Sequence, residues 1–159
     1  MNSPSQAAIR KAGAVDAAAA WGVRTSAILH HCADCYPADL LAIWTDGSVT
    51  AEFEQFVADR LYVATLDEIV VGTGTIDCDT GRLDAIFVRP ELVRRGIGSQ
   101  IVSFLEQLGR AAGLTQLTLD STLNAAPFYR SCGFSGDETS SYRSPQGIDL
   151  DCIPMAKVL

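Results

Sequence analysis

The spacing of apolar residues changes once in the middle of this chain, and that change limits the folds open to it. Between residues 61 and 88, apolar runs of strand length are separated by turns at Asp67-Glu68 and Asp79-Thr80-Gly81, a pattern typical of antiparallel strands. From Gly98 to Gly113 the apolar residues recur instead at helical spacing, which gives the helix one apolar face. Because that face must be buried on the preceding strands, the pattern predicts a mixed α/β layer.

Further strands and helices are predicted on both sides of this segment. No linker or repeat interrupts the chain, so we expect residues 1–159 to form one domain, with residues 1–6 as a flexible polar leader. The additional elements expected, in chain order, are an edge strand at Ala7 to Ala12, a helix from Asp16 to about His31, two shorter helices of which the second is capped by Thr50, a strand at Leu117 to Leu119, a short helix from Ala125 to Cys132, and a closing pair of strands.

The charge balance and the cysteine count narrow the function classes. Twelve Lys and Arg against nineteen Asp and Glu give a net charge of −7, which repels a phosphate backbone, so we expect neither nucleic acid nor a membrane as partner. No apolar run approaches the ~20 residues that span a bilayer. The five scattered cysteines suit free thiols in a reducing compartment, and we expect a cytoplasmic protein.

The stretch from Val88 to Ser99 carries the clearest chemical signal. It reads Val-Arg-Pro-Glu-Leu-Val-Arg-Arg-Gly-Ile-Gly-Ser, which is a strand end, a turn with two glycines and a helix start. Free N–H groups at a helix N-terminus bind phosphate or pyrophosphate, and Arg94 and Arg95 favour an anion there. The spacing fits neither a Walker loop nor a dinucleotide fingerprint. A tight turn that needs small residues, beside a solvated arginine pair, is the alternative.

A second stretch follows one helix and one strand later, and the two together indicate a family. Residues 124–134 read Asn-Ala-Ala-Pro-Phe-Tyr-Arg-Ser-Cys-Gly-Phe. The patterns V-x-P-x-x-x-x-R-G-x-G-S and N-A-x-x-F-Y-x-x-x-G-F, in this order, resemble the GCN5-related N-acetyltransferase (GNAT) superfamily over about Leu61 to Phe134. The remainder looks like the branch of small bacterial acetyltransferases.

The resemblance implies a fold and a co-substrate. The fold is a mixed, mostly antiparallel sheet of six to seven strands, splayed between the fourth and fifth, with helices on both faces. The co-substrate is acetyl-CoA. Val93 departs from the family, which has Gln or Arg there, so Arg94 or Arg95 would replace that phosphate contact. The residues expected to hold acetyl-CoA are the amides of Arg94, Arg95, Gly96, Ile97, Gly98 and Ser99 at the pyrophosphate, Ile86, Phe87 and Val88 beside the pantetheine, and Asn124, Phe128 and Tyr129.

The resemblance also makes Tyr129 the general acid that protonates the departing thiolate. A phenol hydrogen-bonded to the sulfur can give up its proton as charge develops, since the two groups differ by only about 1 to 2 pKa units. The alternative is that Tyr129 packs in the core with Phe128 and Phe134.

A carboxylate is needed to take the proton of an ammonium acceptor before it attacks. Strand alternation places Asp84 on the face of Ile86 and Val88, near the expected thioester, and makes it the candidate base. Asp84 could equally be an edge charge or a turn partner of Arg82. Asp120, at the end of the next strand, is the second choice.

The function expected is transfer of acetyl from acetyl-CoA to a primary amine of a small molecule, by direct attack in a ternary complex. A backbone N–H between Ile86 and Val88 would polarise the thioester carbonyl. A non-catalytic CoA-binding module and a protein or peptide N-acetyltransferase remain alternatives, and a homodimer is left open. We expect the acceptor pocket to be built from the helices before residue 60 and the segment from Tyr142 to Asp151.

Two other groups of residues have competing interpretations. His30, His31, Cys32 and Cys35 include a Cys-x-x-Cys pair that could bind zinc, but no second pair completes a tetrahedral site, so we predict ordinary helix-end residues and no metal. Tyr36, Trp44 and Phe56 could line an aromatic acceptor pocket, although such residues are more often part of a core.

Overall fold

The structure, a computed structural model, describes residues 6–159 and contains one seven-stranded sheet. All neighbouring strands are antiparallel except β4 and β5, which are parallel. The mixed, mostly antiparallel sheet is therefore confirmed; of the leader, residues 1–5 lie outside the described residues. The strands, in the spatial order β1-β2-β3-β4-β5-β7-β6, are β1 (Ala8–Lys11), β2 (Tyr62–Leu66), β3 (Ile69–Asp77), β4 (Arg82–Val88), β5 (Gln116–Ser121), β6 (Ser140–Arg143) and β7 (Asp149–Val158).

Helices cover both faces of the sheet, as expected. On one face a core cluster joins α1 and α3 to Val63 and Val70 of the sheet, and on the other a larger cluster lies beneath α4. Thr50 caps α3 as predicted, since its Oγ1 accepts from the backbone N–H of Phe53 at 3.1 Å. None of the helices in residues 6–159 has the length and apolar character to cross a bilayer. The helices are α1 (Ala17–His31), α2 (Ala38–Thr45), α3 (Ala51–Arg60), α4 (Ile97–Ala111) and α5 (Ala126–Ser131).

Helix α4 lies unusually close to the sheet because two glycines of β3 face it. A Cβ atom at Gly72 would come within 2.8 Å of Ile101, and one at Gly74 within 2.7 Å. Ile101 and Leu105 of α4 are almost completely buried on these glycines and their neighbours. The close packing fixes the start of α4, and with it the glycine-containing turn, relative to β3 and β4.

Strand β4 contains a bulge that changes which residues share a face. Thr73 pairs with Phe87 but Thr75 pairs with Asp84, so β4 has one more residue than its partner. Ala85 there has a left-handed φ of 52°. Its backbone groups are bound by side chains: Thr73 Oγ1 donates to its carbonyl at 2.7 Å and Asp84 Oδ1 accepts from its N–H at 2.9 Å.

The bulge corrects one expectation from the sequence. Simple alternation put Leu83 with Ala85 and Phe87, and Asp84 with Ile86 and Val88. Instead Leu83 packs with Ile86 and Val88 beneath α4, while Ala85 and Phe87 pack toward α1 and α3. The predicted face of Asp84 is therefore wrong, because the extra residue shifts the alternation by one.

The sheet splays between its fourth and fifth strands, as predicted. Strands β4 and β5 share only the pair Arg82 with Thr118, supported by the hydrogen bond from the Thr118 N–H to the Gly81 carbonyl at 3.0 Å. Beyond this point the bulged β4 bends away, since bulges bend the strand that carries them. A gap opens between the two strands.

Candidate active site

The gap between β4 and β5 is the floor of a cleft of about 1060 Å³. Three groups of residues line it besides the strands. They are the segment 94–99, here called the glycine turn; residues between 122 and 129 around the start of α5; and side chains of α1 to α3 with the segment around Tyr142, here called the helical side. The sequence-predicted site residues converge on this cleft: Asp84 and all the predicted cofactor-binding residues except Arg95 line it.

The glycine turn presents a row of backbone donors without acceptors. The last backbone bond before it runs from the Val93 N–H to Pro90, and the next runs from the Gln100 N–H to Gly96. Within the described chain, the six amides of residues 94–99 donate to no protein acceptor. This is the arrangement that binds anions at a helix N-terminus.

The two glycines of the turn have different tasks. Gly96 has a φ of 80°, and a Cβ atom there would meet nothing within 4 Å, so Gly96 shapes the turn and faces open space. A Cβ atom at Gly98 would lie 3.0 Å from the ring of Phe128, so Gly98 lets this ring pack against the helix start. Arg94 also has a left-handed φ, of 68°, and like Arg95 it is exposed and forms no ion pair with a described residue.

Two further polar features face the cleft. From Leu83 to Val88, the edge of β4 nearest β5 has no strand partner in the described chain, and only its last carbonyl, that of Val88, has a side-chain contact there, with His31 Nε2 at 3.4 Å. Asn124 has a buried Oδ1 that accepts no hydrogen bond from any described residue. Buried carbonyl oxygens are rarely left unsatisfied, so both features suit an extended ligand that carries amide groups.

Tyr129 is buried at the side of the cleft, with only 8% of its surface exposed. Its ring packs edge-on against Phe128 and Phe134, with centroids 5.1 and 6.0 Å away. The hydroxyl has no hydrogen-bond partner among residues 6–159. Burial, followed by the Cys132 thiol and the Asp84 carboxylate, raises the pKa of Tyr129, so the phenol is protonated at neutral pH. Tyr129 therefore packs in the core and also has a phenol proton to donate, so the two interpretations of this residue are compatible.

The structure distinguishes the two candidate carboxylates. Asp84 is exposed to the cleft, and among the described residues its carboxylate accepts only from the adjacent Ala85 N–H, through Oδ1, which leaves Oδ2 without a partner there. Asp120 instead accepts from Arg82 at 2.8 Å. The interpretation of Asp84 as a turn partner of Arg82 is therefore wrong, because Arg82 reaches across the gap to β5.

The helical side contains aromatic residues that belong both to the core and to the cleft. Tyr36 and Trp44 are buried in a cluster with Ile28 and Leu150, and they also line the cavity together with Phe56. The Tyr36 hydroxyl donates to the Asp151 carbonyl and accepts from the Leu123 N–H at 3.1 Å. Burial raises the pKa of Tyr36 to about 12. Tyr36 therefore ties the segment between α1 and α2 to β7 and to the residues that follow β5.

Comparison with known proteins identifies the family. Residues 32–159 match the family model of the acetyltransferase (GNAT) domain. This chain belongs to the GNAT family. The expected acetyl-CoA-dependent acyltransferase is confirmed, and acetyl-CoA is the co-substrate of such enzymes. No curated protein matches the sequence.

Solved structures share the GNAT fold over nearly their whole length. A GCN5-related N-acetyltransferase from Rhodopseudomonas palustris is 26% identical, with 100% of this chain and 99% of that chain covered and a TM-score of 0.90. The PaiA N-acetyltransferase of Thermoplasma acidophilum, solved with coenzyme A, is 17% identical, with coverage of 96% and 99% and a TM-score of 0.76. YncA of Salmonella typhimurium, solved with acetyl-CoA, is 23% identical, with coverage of 97% and 94% and a TM-score of 0.67.

One residue of the GNAT cleft was missed by the sequence reasoning. Arg24 lines the helical side, stacks over Trp21 at 4.8 Å and donates through Nη2 to the Trp44 carbonyl at 3.0 Å. The sequence does contain a signal for this residue. Among the 15 residues of α1, which include no Asp, Glu or Lys, Arg24 is the one arginine. A lone charge in an otherwise apolar helix points to a specific partner.

The potential metal ligands at the end of α1 are not brought together. Cys32 is buried, whereas His30 and Cys35 are exposed. Within residues 6–159, no three His, Cys, Asp or Glu side chains form a group suited to a metal ion. The metal-free interpretation stays a prediction.

Proposed function

We propose that this GNAT enzyme transfers the acetyl group of acetyl-CoA to a primary amine of a small molecule, by direct attack in a ternary complex. The observation that carries the proposal is the convergence, in one cleft, of the six free amides, the free edge of β4, the Tyr129 phenol and the Asp84 carboxylate. Each supplies a function that acetyl transfer to an amine requires.

The first group of residues fits acetyl-CoA. The free amides of the glycine turn would accept the pyrophosphate, and Arg94 beside them would supply the side-chain bond to phosphate that Val93 cannot make. The pantetheine arm carries amides that match the free edge of β4, and the Asn124 Oδ1 would accept one of its N–H groups. A backbone N–H between Ile86 and Val88 would bind the thioester oxygen as negative charge develops on it.

The second group moves the protons. Asp84 would take a proton from the ammonium form of the acceptor, so that the nitrogen lone pair can form the new C–N bond. When the C–S bond breaks, Tyr129 would give its proton to the sulfur, and the second proton that the attacking nitrogen loses would restore the phenol. Tyr129 suits this role because its phenol is protonated at neutral pH and lines the cleft, and Asp84 suits the other because no ion pair with a described residue neutralises it.

The shape of the cleft supports a small acceptor. Its lining on the helical side comes from α1, α2, α3 and the segment around Tyr142, so several elements form the walls of a concave, partly open cleft. Concave sites of about 300–1000 Å³ are typical of small-molecule binding.

A panel of amines with acetyl-CoA, monitored by thiol release, tests the proposal. We expect several-fold acceleration by one class of small primary amine and a product acetylated on nitrogen. Faster reaction with peptide N-termini or protein lysines would transfer the proposal to the alternative acceptor class. Tight binding of acetyl-CoA without acceleration by any amine would contradict it.

A further inference from the structure

Arg24 carries a positive charge into the cleft without an acidic partner. Its Nη2 is bound to the Trp44 carbonyl, but its Nη1 is buried and has no hydrogen-bond partner among residues 6–159. The charge is also stacked on Trp21, which fixes its plane. Burying a donor of a charged group without an acceptor lowers the stability of the fold. The position of Arg24 therefore calls for an acceptor that the described chain does not supply.

The other arginines of the cleft are already used. Of the three that line it in the described chain, Arg82 is paired with Asp120 at 2.8 Å and Arg94 lies in the glycine turn. Burial lowers the pKa of Arg24, and the nearby Tyr142 raises it, yet a guanidinium stays charged at neutral pH. Arg24 is thus the cation that remains for a group on the acceptor.

Tyr142 places Arg24 in the same part of the cleft as the candidate base. After burial, which raises the pKa of Tyr142, the charges that act on this phenol are those of Asp84, Arg82, Asp120 and Arg24. Arg24, Asp84 and Tyr142 also line the same cleft, so the carboxylate that would receive the amine proton and the guanidinium that lacks an acidic partner in the described chain face one cavity. This juxtaposition presents one negative and one positive group to the same ligand.

We infer that the acceptor is an amine that also carries a carboxylate, that is, an amino acid, whose carboxylate binds Arg24 while its amine faces Asp84. The inference rests on the proposed function and specifies its substrate class. A carboxylate in the cleft would neutralise the guanidinium, which lines the cleft and has no acidic partner among the described residues. In a chain with a net charge of −7, such local recognition is needed to hold the carboxylate end of a zwitterionic substrate.

Matched substrate pairs test the inference on the wild-type enzyme. Each amino acid is compared with its carboxamide and with the amine that lacks the carboxyl group. We expect kcat/KM to be about 10- to 100-fold higher for the carboxylate form, the scale of one hydrogen bond to a charged group. Because an α-carboxamide also makes the amine less basic, ω-amino acids with distant carboxylates serve as the control for basicity. Equal use of carboxylate and carboxamide forms would overturn the inference while leaving amine acetylation intact.

Variants of Arg24 then assign the preference to this side chain. In Arg24→Gln the ratio of kcat/KM between carboxylate and carboxamide should fall toward one, mainly through KM, while acetyl-CoA affinity is retained. Arg24→Lys should recover part of the ratio, because it restores charge without the planar guanidinium. An unchanged ratio in folded Arg24→Gln would overturn the inference. Should Arg24→Gln lose its cooperative thermal transition, the ratio in Arg24→Lys decides: an undiminished preference contradicts the role of Arg24, and a reduced one supports it.

Discussion

The two sides of the cleft are built from different parts of the polypeptide. The glycine turn offers backbone amides from six consecutive residues, whereas the helical side and β4 offer side chains from distant elements: Arg24 of α1, Asp84 of β4 and Tyr142 of β6. Binding through backbone amides requires only that the turn adopt its conformation, so many different side chains are tolerated in the turn. A side made of side chains depends on every residue that projects into it. The first should therefore govern affinity for the shared co-substrate, and the second the reaction and the choice of acceptor.

The largest effect is expected at Asp84. Asp84→Asn keeps the oxygen that accepts from the Ala85 N–H, so the bulge is preserved, but removes the capacity to take a proton. Turnover should fall by about 10²- to 10⁴-fold, the range of one acid–base group, while acetyl-CoA affinity is retained. Steady-state kinetics measure the turnover and calorimetry measures the affinity.

Asp120→Asn is the matched control for this comparison. It removes the other carboxylate of the cleft and weakens the ion pair with Arg82, but it leaves Asp84 in place. We expect a smaller loss of turnover than in Asp84→Asn. A larger loss in Asp120→Asn than in Asp84→Asn would exchange the roles of the two residues.

Tyr129→Phe tests the second side-chain function. The ring and its packing against Phe128 and Phe134 remain, so acetyl-CoA affinity should hold while turnover falls by about 10- to 1000-fold. Since burial raises the pKa of Tyr129 above its ordinary value near 10, its ionisation should cause no loss of wild-type turnover below pH 10. Turnover in Tyr129→Phe equal to that of the wild type would remove Tyr129 as the acid, and the thiolate would then be protonated by water or by the acceptor.

Variants of Gly96 test the glycine turn. They should lower the affinity for acetyl-CoA, whereas the variants of Asp84 and Tyr129 should lower turnover. Asp and Asn both tolerate a left-handed φ, and a side chain at Gly96 meets nothing within 4 Å. Gly96→Asp should therefore weaken acetyl-CoA binding by about 10- to 100-fold through repulsion of the pyrophosphate, the scale of one charged contact, whereas Gly96→Asn should weaken it much less. Calorimetric titration of both variants isolates the effect of the charge, because Asp and Asn have nearly the same shape. Equal affinities of the two variants for acetyl-CoA would mean that the pyrophosphate binds elsewhere.

The smallest effects concern stability. Substitution of two different glycines by alanine should change the free energy of unfolding in opposite directions. Gly74→Ala would force α4 away from the sheet and should lower the free energy of unfolding by about 1–3 kcal/mol. Gly22 lies in α1 with no atom within 4 Å of an added Cβ, so Gly22→Ala should raise it by about 0.5–1 kcal/mol. Urea denaturation measures both values, and a stabilised Gly74→Ala would contradict the close packing of α4.

The sequence predicted those features that depend on local patterns. The periodicity placed every helix and strand of the central sheet within a few residues, and the glycine motif placed the turn because its backbone conformation is encoded by consecutive residues. The splay between β4 and β5 was implied by the resemblance to the family. The features read from periodicity and from the glycine motif share one property, which is that neighbouring residues in the chain determine them.

The sequence could not show features that depend on an exact register or a distant partner. One extra residue at Ala85 reversed the faces of Leu83 and Asp84, and nothing in the composition of β4 signals a bulge. The partner of Arg82 proved to be Asp120 on another strand, which alternation within β4 cannot reveal. Arg24 gained its significance only when the fold placed it beside Tyr142 and left its Nη1 without an acceptor.

The single residue pair that joins β4 to β5 also determines which contacts a change in the width of the cleft would strain. Six residue pairs hold β5 to β7, but a change in the width of the gap needs to strain only the join at Arg82 and Thr118 and the ion pair beside it. Helix α4 spans the two strand groups, since Ile101 and Leu105 share one core cluster with Leu83 and Leu117. A wider or narrower cleft would therefore strain this one join, which lies under α4, and would leave the ladder of hydrogen bonds between β5 and β7 intact.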